Sequence, residues 1–230
     1  MTIPIKIIKK QEYNKKYEKP KQELVWDSIA KTWKTYVVKK IPVVEEFSKN
    51  KKGRVIDLGC GTGRNMIKNK NIEYYGIDFS KGQLIHAEKY AKKNKIKARF
   101  FKLEAYDLGE FKDKMFDYGL FIATLHCLET KNLREKALKE FYRVLKPEAE
   151  ALISIWNSED KRFNHVKNHG DIYMSWLEDN IPYMRYYYLY KKQEFLELLK
   201  EVGFEVLEFY NSREKDRFSK KNWIVRVKKC

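Results

Sequence analysis

Asp57-Leu-Gly-Cys-Gly-Thr-Gly63 follows the apolar pair Val55-Ile56 and decides how the rest of the chain is read. Val55 to Leu58 has the composition of a short buried strand. The glycines beyond it let the backbone turn sharply and approach a ligand closely before a helix opens. The spacing is G-x-G-x-G, whereas a dinucleotide fingerprint needs glycine at position 64, where Arg64 stands. No G-K-[ST] follows, which excludes a P-loop. Asp78 ends the next apolar run, Glu73 to Ile77, where a carboxylate can accept hydrogen bonds from both hydroxyls of a ribose. An ordinary strand-to-helix turn is the plain alternative, and the paired acids Asp57 and Asp78 weigh against it.

Outward from this turn the chain alternates strand and helix. Ser80 to Lys93 reads as a helix capped by Ser80, Ala98 to Phe101 and Phe116 to Ile122 as strands, and Leu133 to Leu145 as a helix ended by Pro147. Ala149 to Trp156 is a fifth strand; helix Gln193 to Val202, stopped by Gly203, leads to strands Phe204 to Phe209 and Trp223 to Val227. The fold class is therefore α/β, a doubly wound, mostly parallel sheet with helices on both faces. Ahead of it, Glu23 to Tyr36 has helical spacing at Leu24, Val25, Ile29, Trp33 and Tyr36, and a second short helix begins near Pro42. We divide the chain into a basic arm with helices packing on the core, 1–50, and a catalytic domain, 51–230. Within the latter the aromatic stretch at about 157–190 is too long for a simple connection, and such insertions usually lie over a site.

The 230 residues carry 49 Lys+Arg against 32 Asp+Glu, a net charge of +17, and 43% are hydrophobic, which excludes global disorder. Residues 1–52 hold 14 basic and 6 acidic groups, nearly half of the excess. Lys89 to Lys102 adds seven basic residues without an acid, and Arg213 to Lys229 eight against two. Lysine-biased composition explains such runs, and so does a surface that tracks phosphates. Three sparse cysteines fit a reducing cytosol, no segment has the roughly 20 apolar residues of a membrane helix, and the N-terminus shows no secretory signal. His165 and His169 stand four apart but lack a third ligand, so no metal site is expected.

An acidic glycine turn, a ribose acid and Glu104 after the third strand, with no cationic clamp for a pyrophosphate, suit S-adenosylmethionine better than NAD. Residues 52–230 resemble the class I methyltransferase superfamily. The resemblance implies a Rossmann-like seven-stranded sheet whose last strand is antiparallel. It implies a cofactor shell of Asp57 near the methionine amino group, Gly59, Cys60, Gly61 and Gly63 in the turn, and Asp78 with Phe79 at the ribose. Glu104 and Ala105 would lie beside the adenine, and Ile122 to Leu125 would line the fourth-strand exit toward the reacting methyl. Pro147-Glu-Ala149 departs from the family, which commonly has glycines after the proline, and unsettles the turn before the fifth strand.

A narrower likeness runs through Val25-Trp-Asp-Ser-Ile-Ala30, Ile122-Ala-Thr-Leu-His126, Ile153-Ser-Ile-Trp156, Arg185-Tyr-Tyr-Tyr-Leu-Tyr190 and Asn222-Trp223. In that order they resemble the wobble-uridine tRNA methyltransferases, which esterify the carboxylate of 5-carboxymethyluridine and in eukaryotes work with a small zinc-binding activator subunit. By position, Arg185, His126 and Trp156 would face the acceptor. The family's paired histidines are His126-Cys127 here, and an arginine of its N-terminal segment falls on Val37; either departure is read as a changed acceptor or as a phosphate contact supplied elsewhere, for example by Lys39 or Lys40. An ionised carboxylate needs a positioning cation, which Arg185 supplies as a bidentate fork; an amine or hydroxyl acceptor would instead need His126 as a base. Arg185 as a surface arginine among tyrosines and His126 as a satisfied strand-end histidine are the plain readings. The insertion's Trp156, Tyr173, Trp176, Tyr183, Tyr186, Tyr187, Tyr188 and Tyr190 either offer faces to an unstacked anticodon base or belong to a packed strand. The implied partners are a tRNA anticodon stem-loop and the activator. A small-molecule methyltransferase and a non-catalytic RNA-binding subunit are the competing functions.

Overall fold

The protein is described here by a computed structural model over residues 6–36, 41–212 and 221–230. Val37, Lys39, Lys40 and the first half of the Arg213 to Lys229 run lie outside the described residues. The main sheet is built from β2 (Gly53–Leu58), β3 (Ile72–Asp78), β4 (Ala98–Lys102), β5 (Phe116–Ile122), β6 (Leu145–Trp156), β9 (Phe204–Asn211) and β10 (Asn222–Lys229). Their order is β4-β3-β2-β5-β6-β10-β9. Neighbours from β4 to β6 are parallel, while β10 runs antiparallel to both β6 and β9. The expected seven-stranded sheet with an antiparallel last strand is the fold observed.

Period-two alternation assigns the two faces. Ile56, Leu58, Tyr75 and Phe121 point to one side, where α5 (Lys131–Val144) contributes Leu138 and Phe141 and α6 (Lys192–Val202) contributes Phe195 and Leu199. Val55, Tyr74 and Leu120 point to the other, toward Val44 of α3 (Pro42–Ser48) and Leu84 of α4 (Lys81–Asn94). Local chemistry sets the ends of the helices. Ser80 Oγ accepts from Gln83 N at 3.1 Å to cap α4, Thr130 caps α5 in the same way, and Gly203 stops α6 at φ 107°.

Two expectations need correction. No helix follows the glycine turn: residues 59–71 are turns and irregular chain. They cross from β2 to its parallel neighbour β3 with about the minimum length such a crossover uses. Hydrogen bonds pin this segment instead, Ile67 N donating to Tyr74 Oη at 3.2 Å and Asn69 Nδ2 to Lys51 O at 3.4 Å. The α5 to β6 junction is also tighter than a turn, for β6 starts at Leu145 and Pro147 lies within it. Its register against β5 shifts there, and Glu148 takes the positive φ, 62°, that a glycine would hold.

The insertion is a second sheet. β7 (Gly170–Glu178) and β8 (Ile181–Leu189) form a hairpin through Asp179 and Asn180, both at positive φ, as a two-residue turn requires. The N-terminal strand β1 (Ile7–Lys9) pairs antiparallel with β7, and the short α1 (Lys10–Asn14) follows it. Thus part of the basic arm is structural. The long helix α2 (Gln22–Tyr36) joins this sheet to α4. Gln22 ties it to β8, its Nε2 donating to Met184 O at 3.2 Å while its Oε1 accepts from Tyr186 N at 2.8 Å. Among the described residues no helix is long and apolar enough to cross a membrane.

Candidate active site

The carboxyl ends of β2, β3 and β5 open onto one cleft. Gly59, Cys60, Gly61 and Thr62 of the glycine turn, Asp78 and Phe79 after β3, and Ile122, Ala123 and Thr124 after β5 line it, with Trp26 and Trp33 of α2 as a wall. An adjoining recess shares Gly59, Asp78, Phe79 and Thr124 and is closed by Leu103, Glu104 and Ala105. All ten residues expected in a cofactor shell therefore stand at or near one place: Gly63 completes the turn, and Asp57 lies at the end of β2. Open sheets of this kind bind ligands there because strand ends and helix N-termini converge.

Each position has a physical basis. A Cβ at Gly59, which sits at φ 72°, would lie 2.2 Å from Thr124 Cγ2, so only glycine lets the turn pass this close to the β5 exit. Asp57 is fully buried, its Oδ1 meets only Asn65 Nδ2 at 3.4 Å, and its Oδ2 has no partner among the described residues. Burial pushes its carboxyl up to about 7. Asp78 Oδ2 accepts from Gly61 N at 2.8 Å and Oδ1 from Ser80 N at 2.9 Å, yet burial still lifts this carboxyl to about 6. Burial likewise raises Glu104. Two desolvated carboxyls, one with an oxygen lacking a hydrogen-bond partner, suit a ligand that brings a cation and hydroxyls. The site thus fits an adenosyl cofactor carrying an ammonium group, Asp57 toward the amine and Asp78 toward the ribose.

The acceptor candidates lie deeper. Arg185 of β8 is 3% exposed, with its guanidinium 5.3 Å from the Trp33 ring, 5.0 Å from Trp176 and 5.5 Å from Tyr187. Its Nη2 donates to Ser175 O at 3.5 Å. Trp26 is also within reach, at 5.9 Å, so Arg185 sits behind the indole wall of the cleft. His126 is buried, stacked on Tyr187 at 5.6 Å and tilted against Trp156 at 5.2 Å, and neither ring nitrogen has a partner among the described residues. Desolvation lowers its pKa to about 3, which keeps the imidazole neutral. Trp156 stacks on Tyr187 at 3.8 Å beneath Arg162. None of Arg185, His126 and Trp156 lines the cleft itself, whereas Cys127 does.

The aromatic platform is not an open one. Tyr173, Trp176, Tyr186, Tyr187 and Tyr190 are buried, and Trp156, Tyr183 and Tyr188 partly so, because the hairpin packs on α2, on β1 and on the 3-10 turn Leu125–Cys127. Sequence reasoning missed Trp26 and Gln83 as cleft residues, while Thr124 lies within the expected strand exit. The single signal was the helical spacing of α2, which tells that a face is buried but not what it covers. Among the described residues no group of His, Cys, Asp and Glu could hold a metal ion. His165 Nε2 instead meets Ile7 O at 3.1 Å.

This sheet order with a glycine turn and two acids at its strand ends defines a class I methyltransferase. A family model described as a methyltransferase domain matches residues 49–203, and the chain belongs to that family. The tRNA (carboxymethyluridine(34)-5-O)-methyltransferase of Schizosaccharomyces pombe is 28% identical over 93% of this chain and 98% of its own length. The Arabidopsis thaliana protein of the same name is 30% identical over 63% of this chain, but the match spans only 34% of that longer protein. Among solved structures, a SAM-dependent methyltransferase from Methanosarcina mazei superposes with a TM-score of 0.67 at 22% identity, covering 84% of this chain and 99% of its own. A Burkholderia thailandensis N-methyltransferase crystallised with S-adenosylhomocysteine gives 0.60 at 16%, covering 82% and 75%.

Proposed function

We propose that the protein methylates the carboxylate of 5-carboxymethyluridine at the wobble position of tRNA, forming a methyl ester, with S-adenosylmethionine as donor. The observation that carries this reading is Arg185, a buried guanidinium behind the tryptophan wall of a cofactor cleft. An arginine so placed is suited to a carboxylate, which it can bind through two parallel hydrogen bonds. The S. pombe relative, similar over nearly its whole length, supports the same acceptor.

When bound, S-adenosylmethionine supplies a methyl on a sulfonium, which an acceptor oxygen takes by in-line displacement. The rest is positioning and exclusion of water. Arg185 orients the ionised carboxylate, Trp26 and Trp33 wall the cleft, and Asp57 and Asp78 hold the donor. No general base is needed for an ionised carboxylate, in keeping with a buried His126 whose pKa desolvation lowers to about 3. Trp156 and Tyr187 serve as packing that fixes the hairpin bearing Arg185.

RNA contact falls to charge rather than to the buried tyrosines. The exposed residues of α2 and α4 include Lys31, Lys34, Lys81, Lys89, Lys92 and Lys93 against Glu88 alone among acids. Lys34 and Lys89 flank His86, and after burial they are the causes that lower its pKa, so the local field is positive. This face adjoins the cleft through Trp33 and Gln83. A small activator protein is proposed from the family likeness; β4, an edge strand with one side unpaired in the sheet, offers it a place. The cytoplasm is the proposed location, consistent with three free cysteines. Mass spectrometry of tRNA nucleosides after incubation with S-adenosylmethionine tests the function. A new methyl ester on carboxymethylated tRNA is expected; methyl transfer only into a metabolite extract would favour the small-molecule alternative.

A further inference from the structure

Between α5 and α6 lies a second cavity, of about 210 Å³, that shares no lining residue with the cofactor cleft. Glu194, Glu197 and Glu201 line it from α6, three and four residues apart and so on one face of the helix, and Glu135 adds a fourth carboxylate from α5. On a chain of net charge +17 this is a local reversal of sign. The cations in the same lining are already engaged. Lys131 pairs with Glu135 at 3.5 Å, while Arg134 lies 3.8 Å over the Tyr188 ring, its Nη1 donating to Leu128 O at 2.9 Å and to Tyr186 Oη at 3.2 Å. Glu197 and Glu201 have no ion pair among the described residues.

A buried polar group distinguishes this cavity from a solvated acidic face. Tyr190 is 2% exposed, lines the cavity, and its Oη has no hydrogen-bond partner among the described residues. A buried hydroxyl without a partner is costly, so a donor arriving with a ligand would complete it. Surplus carboxylates and an open phenolic oxygen both accept, and an ammonium group donates in three directions. An anion would meet four carboxylates and is excluded.

Spacing narrows the class of cation. Successive carboxylates on α6 are separated by about 4.5 and 6 Å of helix rise. Amines joined by three and by four methylenes stand about 5 and 6 Å apart when extended. Leu198, in the same lining, offers apolar contact to such methylenes. The geometry points to a binding site for a linear polyamine in this cavity, its ammonium groups on Glu194, Glu197 and Glu201 and one of them donating to Tyr190 Oη. Glu194 Oε1 also accepts from Tyr188 Oη at 2.6 Å, so a bound polyamine braces the end of β8 from the face opposite Arg185. The site depends neither on the cofactor nor on the methyl acceptor.

The test is calorimetric titration of the full-length protein with spermidine at fixed ionic strength. The molecule as a whole repels a trivalent cation, so saturable binding reports a local site. Spermidine is expected to bind about fivefold more tightly than the diamine putrescine, which seats one ammonium fewer. Combining Glu197→Gln with Glu201→Gln, both at exposed positions, should weaken spermidine about tenfold. Tyr190→Phe should weaken it about fivefold without lowering the melting temperature of the free protein, since the hydroxyl it removes has no partner to lose. Glu18→Gln with Glu110→Gln, exposed elsewhere, should leave binding unchanged. Glu197/Glu201 and Tyr190 variants that bind within twofold of wild type overturn the site. So do full displacement of spermidine by magnesium at equal ionic strength, an equal loss in the Glu18/Glu110 control, and wild-type protein that shows no saturable binding.

Discussion

Asp27 Oδ1 accepts from Ser80 Oγ at 2.6 Å, and the same oxygen accepts from Gly82 N at 2.8 Å. One carboxylate on α2 thus holds the residue that caps α4, and Ser80 N in turn donates to Asp78. The tryptophan wall of the cleft and Asp78 are thus linked through Asp27 and Ser80. Gly82 makes it possible, for a Cβ there would stand 3.1 Å from Asp27 O.

Asp27→Ala should therefore separate the two halves of the site. Loss of two hydrogen bonds is expected to lower stability by about 1–3 kcal/mol. The KM for carboxymethylated tRNA should rise about tenfold, as a misplaced wall loosens acceptor positioning. The Kd for S-adenosylhomocysteine should change less than threefold, since Asp78 keeps its own backbone donors. An equal loss in both constants would show that Asp27 serves the cofactor turn alone.

Arg185→Ala and Arg185→Lys should both abolish turnover at saturating cofactor while leaving cofactor affinity near wild type. Lysine keeps the charge but not the planar fork. Single-turnover methylation of a carboxymethylated anticodon stem-loop distinguishes the outcomes, and normal rates in the lysine variant would remove the bidentate role.

The two raised carboxyls make cofactor binding pH-dependent. Asp57 and Asp78 titrate in the folded, ligand-free protein near 7 and 6, above their unfolded values. Their contribution to folding is thus fully present below the ordinary aspartate range and is lost as pH rises toward 7. A cationic ligand prefers the ionised forms, so cofactor affinity should increase from pH 5 to pH 8. The rise in melting temperature on adding S-adenosylmethionine should accordingly be larger at pH 8 than at pH 5; a constant or shrinking increment would contradict the placement of Asp57.

The lysine face predicts a salt effect. Replacing Lys34, Lys89 and Lys93 with glutamate should weaken anticodon stem-loop binding and flatten its salt dependence by roughly 0.7–0.9 in log–log slope for each phosphate no longer neutralised. Cofactor affinity should be unchanged. The same substitutions at Lys112, Lys139 and Lys200, which are exposed elsewhere, are the control.

Glu148→Gly should stabilise the protein by about 1 kcal/mol, because a non-glycine residue at φ 62° is strained. The ion pair it gives up, to Lys228 at 3.2 Å, is largely exposed on the glutamate side and contributes little. A rise in melting temperature of a few degrees is the readout.

The alternation of apolar runs with capped helices made the main sheet legible, since Ser80, Thr130 and Gly203 act through bonds to residues three or four positions away. The cofactor acids were legible for the same reason, as each ends a strand. What failed was long-range. The crossover at 59–71 is expected to open a helix and does not, and the sequence leaves the tyrosines of β8 open between exposed faces and a packed strand, because their cover comes from β1, α2 and the 3-10 turn before α5. Trp26 and Gln83 meet at the cleft where α2 packs on α4, through Asp27 and through Gln83 itself, a pairing no local pattern announces.

The pairing of Ile7 with Met174 has a consequence for how the molecule is made. A ribosome delivers the N-terminal strand first, but the hairpin it completes emerges only after the whole of β2 to β6. Such a strand must wait, unpaired, through most of synthesis, and pairings this distant in sequence close late and slowly. β1 is thus among the last strands to find its partner. Until it does, the hairpin carrying Arg185 lacks one edge, so the cofactor cleft is complete before the acceptor side is.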